Sequence, residues 1–257
     1  VNTDGSELQQ LATDVYEYTR HGSIQWSSDG SYIAYIAESD TGIPLHTIID
    51  SNGNKIAQSF IYSYDPIKWH PSSTAIIFGS YTDGLYSLGI NGIEEKILRT
   101  IGFTYDHSPA FSPDGRRIAY VHHEYGTLYY IRILDENGVI TEVDNYNSHM
   151  SSDHDEELEI AWLSDQSIVY KIRDKDIITV DTSTPASYLI FAGKPYSASH
   201  IIVSPDKKEI LHRGDYALNI LNTETLADNV FEVEDYIGDL DWASNGTAIV
   251  YTSFLSA

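Results

Sequence analysis

A chain of 257 residues with 15 Lys and Arg against 38 Asp and Glu carries a formal net charge of −23, which repels polyphosphate and excludes a protein that grips a nucleic-acid backbone. The absence of cysteine excludes disulfides, zinc-thiolate centres and thiol nucleophiles. No apolar run reaches the ~20 residues of a membrane-spanning helix, and 20 Tyr with many Val, Ile and Thr between closely spaced turn residues predict an all-β chain, one domain over 1–257.

From the amino terminus, "VNTDGSELQQLA" reads as the end of a strand, a turn at Thr3-Asp4-Gly5 and a further strand, without the first half of such a unit. Six related segments follow: "IQWSSDGSYIAYI" from Ile24, "IKWHPSSTAIIFG" from Ile67, "PAFSPDGRRIAYV" from Pro109, "IAWLSDQSIVYKI" from Ile160, "IIVSPDKKEILHR" from Ile201 and "LDWASNGTAIVYT" from Leu240. Their third residues, Trp26, Trp69, Phe111, Trp162, Val203 and Trp242, align in one column at spacings of 43, 42, 51, 41 and 39. A period of this length holds four short strands, which is one blade of a β-propeller.

In the third copy, Ser112, Pro113, Asp114 and Gly115 form the turn, since Pro fixes φ and Gly accepts a positive φ. Phe111, Ile118 and Tyr120 are then core residues buried between blades, and Asp114 is a turn residue with no chemistry assigned to it. A second turn follows in each unit, at Asn52-Gly53, Asn91-Gly92 and Asp135 to Gly138. The last copy has only its first half before Ala257, so the expected architecture is six four-stranded blades, the ring closed by pairing the N-terminal strand with the C-terminal hairpin.

The repeat W-S-x-D-G-x-x-I-A-Y, visible in "WSSDGSYIAY" and "FSPDGRRIAY", resembles the WD40-like (PD40) repeat of TolB-type β-propellers over essentially the whole chain. That resemblance implies a six-bladed propeller that binds other proteins of the cell envelope. The same repeat also serves lyases and the gating propellers of prolyl oligopeptidase-type peptidases, so function must come from the site. No G-x-S-x-G elbow, phosphate-binding G-x-x-x-x-G-K-[ST] or sialidase Asp-box is present.

Two places could carry chemistry. The 51-residue spacing contains an insertion, 144–159, "DNYNSHMSSDHDEELE". There His149, Asp153, His154 and Asp155 crowd imidazole and carboxylate groups able to take Ca, Mn or Zn, although their spacing matches no defined metal loop. The residues just before each inner strand, His21, Tyr64, Asp65, His107, Glu159, His200 and Asp239, should ring the mouth of a central channel and bind a ligand. Histidines near the channel are similar to those that hold a metal in oligogalacturonate lyases, but no lyase motif matches residue by residue. His122 and His123, neighbours on one strand, should face opposite sides of the sheet. Tyr62, Tyr64, Tyr105, Tyr146 and Tyr196, in connecting segments, offer platforms for sugar rings.

The leading expectation is a non-catalytic, monomeric binding or scaffold propeller, periplasmic or extracellular, that recognises a protein or glycan through the face carrying 144–159. The alternative is a metal-dependent propeller enzyme, such as a lyase of acidic glycans with His21, His107 and His200 as ligands, or the propeller of a larger enzyme.

Overall fold

In the computed structural model the described residues are 10–16, 24–63, 65–80, 83–99, 104–124, 128–147, 158–172, 176–184, 186–191, 201–213, 217–233, 236–243 and 246–254. They form antiparallel meanders in two compact units, residues 1–100 and 101–257. The first unit holds sheet β1 to β4 (Ile24–Trp26, Tyr32–Glu38, Pro44–Asp50, Lys55–Gln58) and sheet β5 to β8 (Lys68–Trp69, Ala75–Ser80, Gly84–Gly89, Glu94–Arg99). In the second unit the chain forms β9 to β12 (Tyr105–Phe111, Arg117–His123, Leu128–Asp135, Ile140–Asn147) and β13 to β16 (Leu158–Ser164, Ser167–Ile172, Ile177–Asp181, Ala186–Phe191). The sheet β17 to β20 (Ile201–Val203, Glu209–Arg213, Ala217–Asn222, Asp228–Glu232) and the pair β21 and β22 (Tyr236–Trp242, Ile249–Phe254) complete it.

The expected all-β fold of four-stranded blades is present, but among the described residues there are five of them rather than six. The sixth sheet has two strands, β21 and β22, among the described residues. The N-terminal strand expected to complete it, in residues 1–9, lies outside the described residues.

The repeated turn is a self-contained hydrogen-bonded unit. Buried Ser112 donates its hydroxyl to Asp114 Oδ1 at 2.6 Å and accepts the Arg117 N–H at 3.0 Å, while the Arg116 N–H donates to the same Asp114 oxygen at 3.0 Å. Ser27 with Asp29 and Ser204 with Asp206 repeat the hydroxyl-to-carboxylate bond, each at 2.7 Å. The fourth turn residue has a positive φ in five of the six copies, supplied by Gly30 (71°), Gly115 (74°) and Gly246 (70°) and adopted by Ser73 (61°) and Lys207 (65°) where glycine is replaced; the exception is Gln166 in the fourth copy.

Neighbouring sheets are joined by the aligned aromatic column. Trp69, Trp162 and Trp242 donate their indole N–H to the carbonyls of Gln25 (3.1 Å), Ala110 (2.9 Å) and Ile202 (3.3 Å). Each acceptor is the residue just before the column position in the preceding sheet. A second column, Tyr35, Phe78, Tyr120, Tyr170 and His212, is buried in the middle strands. The Tyr35 hydroxyl donates to Asp14 at 2.8 Å and that of Tyr170 to Asp144 at 2.9 Å. The apolar cores lie between sheets, as in Ile36, Ile48, Ile76 and Phe78 of the first unit and Val121, Ile131, Ile160 and Trp162 of the second.

Candidate binding site

The residues expected at the channel mouth divide into those the structure describes and those it does not. His107 and Glu159 occupy the same register position in consecutive sheets, opposite Val121 and Lys171. The Glu159 carboxylate accepts the Ile201 N–H at 2.7 Å, and that of buried Asp65 accepts the Gly79 N–H at 2.7 Å, so both carboxylates hold backbone. His107, half-buried, places Nδ1 3.0 Å from the Ser108 hydroxyl. His21, Tyr64, His200 and the side chain of Asp239 lie outside the described residues, as do His149, Asp153, His154, Asp155 and Tyr196. Among the described residues, no three His, Asp or Glu side chains gather in a way that could hold a metal ion.

The insertion is shorter than its sequence limits suggest. Residues 144–147 belong to β12 and 158–159 to β13, leaving 148–157 as the connection. Asp144, counted in the insertion by sequence, accepts the hydroxyl of buried Tyr170.

The strand ends from which this connection leaves carry the chain's densest group of rings among the described residues. Because adjacent strands are antiparallel, the starts of β9 and β11 and the ends of β10 and β12 share one end of the sheet. The register sets Tyr105, His123, Tyr129 and Tyr146 directly opposite one another, a row across all four strands. His123 stacks on Tyr129 (centroids 4.1 Å, 7°) and meets Tyr105 edge-on at 4.6 Å; Tyr146 lies 6.4 Å from Tyr129 and His107 lies 5.4 Å from Tyr105. The two inner rings are buried and fix the outer ones, Tyr105 and Tyr146, which remain partly open with His107.

One residue along, the opposite face carries a polar row. Asp106, His122, Tyr130 and Asn145 face one another across the same strands, so the two adjacent histidines do point to opposite sides. His122 Nδ1 lies 2.7 Å from a carboxylate oxygen of buried Asp106, an acceptor for an Nδ1–H. Arg132 lies 4.9 Å from the centroid of the Tyr130 ring and 3.6 Å from Glu142.

Two further groups escaped the sequence reading. Lys171 is fully buried at a position that Ile36 and Val121 fill in other sheets. Beside it, burial and then the Lys171 charge push the His212 imidazole below its ordinary range, while Asp228, 3.2 Å from its Nε2, acts in the opposite sense. In the first unit, His46 stacks on Phe78 at 4.0 Å with Nε2 3.0 Å from the Asp65 carbonyl, and burial pushes its pKa down to about 4. Aligning the copies could have drawn attention to Lys171, a charge where Ile36 and Val121 stand in two other copies.

The fold is that of a β-propeller. It is TolB-like: the structure of TolB from Acinetobacter baumannii superposes with a TM-score of 0.63 at 19% identity over 90% of this chain and 60% of that one. An oligogalacturonate lyase in complex with manganese gives 0.70 at 11% identity, covering 94% of this chain and 71% of the lyase. A chain of the mitotic checkpoint complex gives 0.69 at 18%, covering 98% and 80%. No protein-family model matches the sequence, and no curated protein matches it significantly. Among the described residues no helix is long and apolar enough to cross a membrane.

Proposed function

We propose that the chain is a non-catalytic binding or scaffold propeller, periplasmic or extracellular and monomeric, recognising a protein or glycan partner through the face that carries the 144–159 insertion. The carrying observation is the row Tyr105, His123, Tyr129 and Tyr146 at the strand ends where residues 148–157 leave. Tyrosine presents a flat apolar face with a hydroxyl at little entropic cost, which suits both the CH faces of sugars and extended peptides. Support also comes from the checkpoint-complex neighbour, a propeller within a protein assembly.

Calorimetric titration with panels of oligosaccharides and extended peptides tests the reading. A ligand should bind the wild type and lose at least ~10-fold in affinity in Tyr105→Ala and Tyr146→Ala, with Asp114→Asn unaffected. Ligands whose affinity ignores both tyrosines would refute it.

The second reading is a metal-dependent enzyme on acidic polysaccharide, with His107, His21 and His200 as ligands, or the propeller of a larger enzyme. Its support is the likeness to a lyase solved with manganese. Manganese-dependent cleavage of polygalacturonate, lost in His107→Ala, would replace the binding reading with this one.

A further inference from the structure

The segment joining the first two sheets is built in an alternating manner. Ser59 and Ser63 are fully buried and Ile61 packs into the core between the sheets. Hydrogen bonds clamp these residues: the Ser59 N–H donates to the His46 carbonyl at 2.8 Å, the Ile61 N–H to the Ser59 hydroxyl at 2.9 Å, and the Ser63 hydroxyl to the Gly79 carbonyl at 2.5 Å. The intervening residues point outward and are both aromatic. Phe60 is 87% exposed and Tyr62 45% exposed.

None of the clamping bonds needs a ring at position 60, and a polar residue there would satisfy the same backbone at lower hydration cost. Rigidly displayed aromatic side chains are what interface hot spots require, because little ordering entropy remains to be lost on binding. The electrostatics identify the partner. The Phe60 N–H donates to Glu94 Oε2 at 3.1 Å, which pins that carboxylate beside the ring, and the whole chain carries −23. An arginine can both stack on a Phe or Tyr ring and pair with a carboxylate.

We infer that Phe60 and Tyr62, with Glu94, form a second docking surface, for an extended, arginine-rich protein segment that also carries apolar side chains. This surface belongs to residues 59–94 and stands independently of the ring row at 105–146.

Fluorescence anisotropy with three labelled peptides tests it: alternating Arg-Leu, alternating Arg-Ser and alternating Glu-Leu. The Arg-Leu peptide should bind most tightly, more weakly as salt rises, and at least ~10-fold more weakly to the Phe60→Ser, Tyr62→Ser double variant. Tyr105→Ala should leave this binding unchanged, which separates the two surfaces. Should the double variant melt early, Phe60→Ser alone serves, since that ring is 87% exposed. Equal binding of Arg-Ser and Arg-Leu, or of wild type and variant, would overturn the inference. So would tighter binding of neutral maltohexaose, or a concentration-dependent dimer, lost on Phe60→Ser.

Discussion

His46 shows how a titratable residue is made structural. Its ring stacks on Phe78 in a fully buried place, and one nitrogen meets the Asp65 carbonyl at 3.0 Å. Burial lowers its pKa to about 4, against an unfolded value near ~6.5. Between those values the unfolded chain binds a proton that the folded chain refuses, so stability is complete above about pH 6.5 and is lost as pH falls towards 4. Urea titrations at pH 7, 6 and 5 should show this decline, at most ~1.4 kcal/mol per pH unit for one proton. His46→Phe should give a shallower slope whatever its stability at pH 7. An unchanged slope would show that other groups bind those protons.

At the scale of strands and turns, the blade was legible where local chemistry fixes it. The turn at Ser112 to Gly115, the burial of Ile118 and Tyr120, and the meander within each sheet follow from residue types at fixed offsets. The site was legible only in parts. Tyr105, Tyr146 and His107 were candidates separately, but their union with His123 and Tyr129 depends on register across four strands. That register slips by one residue between Ala119 and Val121, and the slip sets His122 opposite Asp106. Ser108 and Pro109 sit at the slip, Ser108 with a φ of 51°, and the proline, which cannot donate to a strand ladder, was the one sequence signal of it. The recurring tryptophan shows the same division: its column was visible, its donation to the preceding sheet was not. Trp162→Phe keeps most of the ring but strands the Ala110 carbonyl, and should cost about 1–2 kcal/mol in urea unfolding. Trp26, 56% exposed, should tolerate the same change within about 0.5 kcal/mol. Equal costs at both positions would show that ring volume, and not the indole bond, matters.

For the whole molecule, the binding reading predicts the same melting temperature with and without EDTA, measured by calorimetry; a loss of several degrees together with released manganese, zinc or calcium would favour the metal-dependent reading. The large negative charge has a distribution that bears on where such a protein could work. Many of its carboxylates are held in turns: hydrogen bonds, chiefly from Ser27, Asn54, Ser112, Val139, Ser183 and Ser204, keep Asp29, Asp50, Asp114, Asp135, Asp181 and Asp206 below the usual carboxylate range. These six aspartates stay ionised in acid that neutralises ordinary surface carboxylates. The turns therefore hold part of the chain's negative charge to lower pH than ordinary surface carboxylates would, which delays the loss of repulsion between copies of the chain as the surroundings acidify.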